Sequence, residues 1–364
     1  MTVDARHMAH ALALGRRGLG RTAPNPAVGC VIVKTGRVVG RGWTQPGGRP
    51  HAETAALKQA GVHARGADAY VSLEPCSHQG KTPPCAEALI DAGIARVVVA
   101  VRDPDPRVDG TGLALLRDAG IEVVEGVGAD EALRDNAGFF ARVTQDRPFV
   151  TLKLASSFDG RIATGTGESQ WITGAPARRA VHAMRAAHDA VMVGGGTARK
   201  DDPSLTVRGL GIAHQPTRVI VSRRLDVPLT SRIASTARAV PVVLCHGPDV
   251  DAPLARTWRD LGASLVVCKA RAGQLDPRDV LTQLAAQGIN RVFCEGGSAM
   301  AASLLDAGLV DELVGFSAGL VIGAEGLPSV GVLGLGRLRD ATRFALRDQW
   351  PVGGDLVHLW ARSD

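Results

Sequence analysis

The sequence predicts an α/β protein built as two domains, and three observations predict it. A chain of 364 residues exceeds what one typical hydrophobic core organises, so two domains are expected. Short aliphatic runs bounded by turn residues alternate with helix-like stretches in both halves, the pattern of layered α/β domains. Between the two alternations, residues 144–148 (Thr-Gln-Asp-Arg-Pro) are polar and end in proline, which reads as a linker. The expected domains are 1–145 and 147–364.

In the first half an opening helix over 4–18 leads to a hairpin, 28–33 and 38–42, turning at Thr35-Gly36. A helix over 52–60 follows, then a strand over 69–73. Pro83-Pro84 mark a helix start, because proline is tolerated in a first turn. Residues 96–101 read as a buried strand, and further signals run to Ala141. The second half begins with a strand over 149–155. Further strands are expected at 190–193, 218–221, 241–245, 264–267, 291–294 and 312–316, with helices over 176–187, 277–287 and 299–307.

Hydrophobic residues make up 45% and charged residues 21%, as in ordinary soluble globular proteins. Aromatic content of 4% argues against the stacking platforms of single-strand binders. The net charge of +6 is spread without a basic block, which suits small phosphorylated ligands, and no nucleic-acid partner is expected. Six cysteines in a chain this long do not make a disulfide scaffold. The apolar stretch 8–14 suits an amphipathic helix, with no signal peptide and no membrane span. The cytoplasm is the expected compartment. A homo-oligomer, dimer or tetramer, is expected, and no residue pattern selects between them.

The sharpest chemical signal is His51-Ala52-Glu53, followed by Pro75-Cys76 and Cys85. A catalytic zinc takes three protein ligands and keeps a fourth position for water. His51, Cys76 and Cys85 supply one imidazole and two thiolates, so one zinc per chain is expected. The metal makes water a nucleophile at neutral pH, and Glu53 would carry its proton to a departing ammonia. Cys85, just past Pro84, is expected at a helix start, where the helix dipole favours a thiolate. The order of residues matches the zinc-deaminase signature, with one departure. That signature has two residues between its cysteines, whereas eight separate Cys76 from Cys85. A structural zinc site would need a fourth ligand, for which His78 inside the loop is the one candidate.

That longer loop carries a resemblance. Leu73-Glu74-Pro75-Cys76-Ser77-His78-Gln79-Gly80-Lys81-Thr82-Pro83-Pro84-Cys85, with 24–29 (Pro-Asn-Pro-Ala-Val-Gly) and Pro50-His51-Ala52-Glu53, resembles the deaminase half of the bacterial bifunctional riboflavin biosynthesis proteins. The resemblance implies a cytidine-deaminase-like α/β/α domain acting on the diaminopyrimidinone ribosyl phosphate made by opening the imidazole ring of GTP. It also implies that Asn25 contacts the pyrimidine and Lys81 the phosphate, roles that an amide and an ammonium suit. Asn25 between two prolines equally suits a plain turn. Family members often carry His where this chain has Thr44, which removes one expected substrate contact.

The resemblance continues through 152–160, 167–173, 193–197, 201–206 and 295–298 into the family's reductase half, implying a dihydrofolate-reductase-like α/β domain that uses NADPH. By residues alone the Rossmann glycine fingerprint is absent. Gly296-Gly297-Ser298, between a strand and a helix, could hold a phosphate or could be an ordinary tight turn. The family pattern implies cofactor contacts at Ala155, Trp171, Thr197, Asp201, Gly297, Ser298, Ala299, Met300, Ala301, Ala302 and Ser303. It implies substrate contacts at Ser169, Arg185, Leu205, Arg208 and Glu295. Arg185 and Arg208 suit a phosphate, although Arg185 sits on an arginine-rich helix and could face solvent. Lys153 and Glu295 are the expected proton-handling pair for reducing a ribosyl imine or carbonyl to ribityl.

Two alternatives stay open at this level. One is a nucleoside or tRNA deaminase fused to an unrelated domain, against which the cysteine spacing and Lys81 count. The other is a regulatory binding protein that keeps both folds without catalysis, against which the intact His51, Glu53, Cys76 and Cys85 count.

Overall fold

The computed structural model describes residues 1–77 and 83–363. The chain divides into two compact units, Met1–Asp146 and Arg147–Asp364.

The first unit holds α1 (Val3–Gly15), β1 (Gly29–Lys34), β2 (Arg37–Trp43), α2 (Ala52–Ala60), β3 (Asp68–Val71), α3 (Cys85–Asp91), β4 (Arg96–Val99), α4 (Thr111–Asp118), β5 (Glu122–Glu125), α5 (Ala129–Asp135) and α6 (Ala137–Gln145). The strands form one sheet in the order β2-β1-β3-β4-β5. β1 is antiparallel to β2 and β3, whereas β3, β4 and β5 run parallel. At the hairpin, Thr35 and Gly36 both have positive φ, the geometry whose twist matches paired strands.

Alternation along the strands builds three layers. Cys30, Ile32, Val71, Val97 and Val99 pack with Ala52, Ala56, Leu89, Leu113 and Leu116 from α2, α3 and α4. Val31, Val33, Tyr70 and Val98 point the other way, onto Met8, Ala11 and Leu12 of α1 and Ala132 of α5. Residues two apart on a strand share a face, so each strand feeds both cores.

The second unit holds β6 (Phe149–Ser157), α7 (Ala175–Ala186), β7 (Ala190–Gly194), α8 (Gly195–Asp201), β8 (Thr217–Val221), β9 (Val242–His246), α9 (Ala252–Asp260), β10 (Ser264–Val267), α10 (Pro277–Ala286), β11 (Arg291–Gly296), α11 (Ser298–Asp306), β12 (Glu312–Ala318), β13 (Phe344–Val352) and β14 (Asp355–Arg362). The sheet order is β10-β9-β8-β7-β11-β6-β12-β14-β13. The first seven strands in that order are parallel, and β14 is antiparallel to β12 and β13. Leu152, Met192, Val219 and Val292 face α10 and α11. On the opposite face, Val191, Ile220 and Leu244 pack on α8 and α9, and Phe293 and Phe316 pack on α7.

Three sequence expectations change. Thr144 and Gln145 close α6 instead of opening a linker, leaving residues 146–148 between α6 and β6. The glycine-rich 194–197 stretch is the start of α8, which the low helix propensity of glycine conceals. β13 and β14 were not expected, because Arg347-Asp348-Gln349 and Pro351 break the alternation of β13, which lies at a sheet edge where such residues are tolerated.

Candidate functional site

In the first unit, α2 and α3 bring the expected metal ligands together. His51 is the residue before α2 and Cys85 the first residue of α3. The donor atoms of His51, Cys76 and Cys85 all lie within 4.8 Å of one another. His51 Nδ1 is 3.6 Å from Cys76 Sγ and 3.3 Å from Cys85 Sγ. The first peptide N–H of α3, that of Cys85, donates to Cys76 Sγ at 3.4 Å. Cys85 stands at the start of α3 as the sequence suggested, and the peptide N–H there also supports the Cys76 thiolate. Hydrogen bonding from Cys85, then from His51, draws Cys76 down to about 4, whereas the same thiol pair and burial push Cys85 up. One imidazole and two thiols at this spacing fit a zinc ion, whose charge would favour both thiolates together.

The cluster opens into a cavity of about 300 Å³ that Asn25, Thr44, Arg49, Glu53, Asp103 and Phe139 also line. Glu53 is 3% exposed. Burial, then the Cys76 charge, raises its carboxyl to about 7. Asn25 donates to the Gly48 carbonyl at 2.9 Å, so its amide both closes a turn and faces the cavity. The Thr44 hydroxyl accepts from Val28 N–H at 3.0 Å, so its oxygen is engaged with the start of β1 at the cavity wall. Lys81 and His78 lie outside the described residues.

Backbone contacts fix this arrangement. A Cβ on Gly42 of β2 would lie 2.0 Å from the Ala52 carbonyl, so glycine lets the start of α2 press against the sheet. The Glu74 carboxylate, 3% exposed, accepts from Asp103, Gly110, Gly112 and Leu113 N–H groups at 3.2, 3.0, 3.0 and 3.3 Å. It thereby locks the strand-end segment bearing Cys76 against the start of α4.

In the second unit, a cavity of about 430 Å³ gathers Lys153, Ala155, Ser169, Trp171, Arg185, Thr197, Asp201, Leu205, Arg208 and Glu295. Leu152 and Cys294 are paired in register on β6 and β11, so Lys153 and Glu295, one residue further on each strand, point together to the other face. Burial lowers Lys153, opposed by the Glu295 charge. Burial alone would raise Glu295, but Arg185 holds its carboxylate below the ordinary value. Arg185 grips both oxygens of Glu295 and donates to the Thr206 carbonyl at 2.8 Å. The guanidinium edge expected to meet a phosphate is thus engaged with Glu295, while Arg208 remains exposed at the rim.

Sequence reasoning missed Arg178 and His182, which line the same cavity. Arg178 lies over the Trp171 ring at 4.2 Å and donates to Thr173 O at 2.7 Å. Their signal was the spacing 178–182–185 on α7, which puts three polar side chains on one helical face.

A second cavity, of about 530 Å³, takes Gly194, Gly195, Gly196, Ser298, Ala299, Met300, Ala302 and Ser303. Ala301 is fully buried in the core beneath α11. Gly297 is pressed against Thr197, whose hydroxyl lies 2.6 Å from where a Cβ would stand. Thr197 in turn donates to the Gly296 carbonyl at 3.0 Å. Both cavities open at the carboxyl ends of parallel strands, where α/β sheets take their ligands. Glycine-lined turns and a strand-to-helix run fit an extended nicotinamide dinucleotide.

The two units define a class of protein: a zinc-dependent deaminase joined to a nicotinamide-dependent reductase. A family model described as the cytidine and deoxycytidylate deaminase zinc-binding region matches residues 1–101, and one described as the RibD C-terminal domain matches residues 148–357. The riboflavin biosynthesis protein RibD of Escherichia coli (strain K12) is 43% identical, covering 98% of this chain and 99% of its own. That of Aquifex aeolicus is 41% identical, covering 99% of each chain. Acinetobacter baumannii RibD superposes with a TM-score of 0.89 at 39% identity, over 100% of this chain and 99% of its own. A Thermotoga maritima diaminohydroxyphosphoribosylaminopyrimidine deaminase/5-amino-6-(5-phosphoribosylamino)uracil reductase gives 0.87 at 34% identity, over 99% of each. The chain belongs to the RibD family of bifunctional riboflavin biosynthesis enzymes, with the deaminase first and the dihydrofolate-reductase-like reductase second. Among the described residues, no helix is long and apolar enough to cross a membrane.

Proposed function

We propose that the first unit hydrolyses 2,5-diamino-6-(5-phosphoribosylamino)pyrimidin-4(3H)-one to 5-amino-6-(5-phosphoribosylamino)uracil, and that the second reduces the ribosyl chain of that product with NADPH. The observation that carries the reading is the convergence of His51, Cys76 and Cys85 beside buried Glu53 in one cavity. One zinc per chain, held by those three side chains, supplies Lewis acidity that activates water at neutral pH. Glu53 accepts a proton from the attacking water and returns it to the departing amine, so that water and the aminopyrimidine leave as carbonyl and ammonia. Asn25 offers its amide to the heterocycle edge, and Lys81 its ammonium to the phosphate.

In the second unit NADPH supplies the hydride. The opened ribosyl chain, an imine or carbonyl, gains negative charge on its heteroatom as the hydride arrives. Lys153 donates the balancing proton, its acidity raised by burial and tempered by Glu295. Arg185 keeps Glu295 ionised and aimed, and Arg208 is left for the substrate phosphate. The assembly proposed is a homo-oligomer, and apolar Val332 and Leu338, 94% and 84% exposed, are surfaces it could cover.

The test is Glu53→Gln in the full chain, assayed with the diaminopyrimidinone phosphate and separately with the deaminated product plus NADPH. Zinc content should be unchanged and NADPH oxidation intact, while ammonia release falls about a hundred- to ten-thousandfold. Ammonia release near the wild-type rate overturns the assignment of Glu53.

A further inference from the structure

The cavity of about 530 Å³ in the second unit, larger than the one that holds Lys153, contains a cation that the reaction as described does not use. Arg223 lies two residues beyond the end of β8, whose last residue Val221 lines the same space together with Met192 and Gly194 of the neighbouring strand β7. It is the one Lys or Arg among the described residues lining that cavity. Its guanidinium makes no hydrogen bond or ion pair among the described residues, although its neighbours do. Arg199 is paired with Asp226 at 2.6 Å, and Asp226 also receives the Ser222 hydroxyl at 2.6 Å. The nearby acid is therefore already engaged. The Arg223 backbone is held from the next strand, its carbonyl accepting from Gly247 N–H at 2.9 Å.

The direction of the cofactor follows from the reaction. Hydride transfer requires the nicotinamide in the cavity with Lys153 and Glu295. Thr197 borders that cavity, and the glycines 194–196 immediately before it, which end β7 and open α8, border the larger one. A dinucleotide entering from the reacting end thus crosses these glycines at its pyrophosphate and leaves its adenosine half in the larger cavity. There Leu275, Pro277, Val280 and Leu281 offer an apolar wall suited to an adenine. Asp306 also lines the space, from the last residue of α11, so Arg223 is the side chain that can favour added negative charge. A planar guanidinium binds a phosphate through paired N–H donors.

We propose that Arg223 recognises the 2′-phosphate on the adenosine ribose of the cofactor, and so sets the preference for NADPH over NADH. This rests on the reading of the second unit as an NADPH-dependent reductase.

The experiment is calorimetric titration of 2′,5′-ADP and of 5′-AMP into the zinc-loaded full chain, for wild type, Arg223→Ala and Arg223→Lys. Wild type should bind 2′,5′-ADP more tightly than 5′-AMP. Arg223→Ala should weaken 2′,5′-ADP by about ten- to a hundredfold and leave 5′-AMP unchanged, with Arg223→Lys between the two. In turnover the Arg223→Ala protein should show a raised KM for NADPH, with KM for NADH and kcat near wild type. Melting temperature and ammonia release report that the variants fold, and Arg223→Lys carries the test if Arg223→Ala does not. If wild type discriminates and Arg223→Ala binds 2′,5′-ADP within about threefold of it, Arg223 is not the reader and the NADPH reading stands. If wild type binds the two probes equally, the NADPH reading falls and this proposal falls with it.

Discussion

A lysine on an interior strand persists when something receives its charge or uses its proton. Lys153 has Glu295 beside it on the next strand and an open cavity before it, so both conditions hold. Lys153→Met keeps the length of the stem and removes the ammonium. It should reduce NADPH oxidation about a hundred- to ten-thousandfold while melting temperature, 2′,5′-ADP binding and ammonia release stay near wild type. Glu295→Gln is the contrast, since it strands the Arg185 guanidinium and should lower the melting temperature as well. A Lys153→Met protein that melts much lower yet turns over normally would make the lysine structural. At this scale the cluster of His51, Cys76 and Cys85 was legible because His, Glu and Cys in that order are chemically scarce. Arg178, His182 and Arg223 were not, because an isolated polar residue on a helix or after a strand reads the same whether it faces solvent or a cavity.

Elements position what residues perform. The helix α2 lies close enough to β2 for its first carbonyl to occupy the space a side chain at Gly42 would need. His51 immediately precedes that helix, so the metal site depends on a glycine that touches no ligand. Gly42→Ala places a methyl 2.0 Å from the Ala52 carbonyl, and the helix must shift to relieve it. The expected outcome is a loss of about 1–3 kcal/mol of stability together with reduced zinc per chain, read by denaturation and metal analysis. Full zinc retention at normal stability would show that α2 can move without disturbing His51. The central strands of both units, and the helices α1, α2, α7, α10 and α11, were readable from aliphatic runs with turn residues at their ends, whereas α8 and α9 were not among the expected helices. The C-terminal pair β13 and β14 was not, because an edge strand with one exposed face carries residues such as Arg347, Asp348 and Gln349 that hide its period.

At the scale of the whole molecule, the residues proposed for each reaction fall within one unit. The zinc ligands, Glu53 and their cavity come from residues before Asp146, and both reductase cavities come from residues after it. Each unit also has its own sheet with helices packed against it. Arg147, the first residue of the second unit, is 8% exposed and grips Asp311 through two bonds of 2.7 Å, while Asp311 also accepts from Val150 N–H at 2.8 Å. That anchoring fixes where a cut can be made, because an arginine removed from this pair leaves Asp311 half-satisfied at the start of β6. Residues 1–146 and 147–364, expressed separately, should each fold cooperatively, the first binding zinc and releasing ammonia, the second oxidising NADPH with the deaminated product. Moving the cut to leave Arg147 on the first piece should lower the melting temperature of the second piece and leave the first unchanged, because the pair with Asp311 belongs to the second unit alone. If both pieces are unfolded by circular dichroism when cut at 146, the two units are not independent folding domains, and the three residues between α6 and β6 are not a linker in the physical sense.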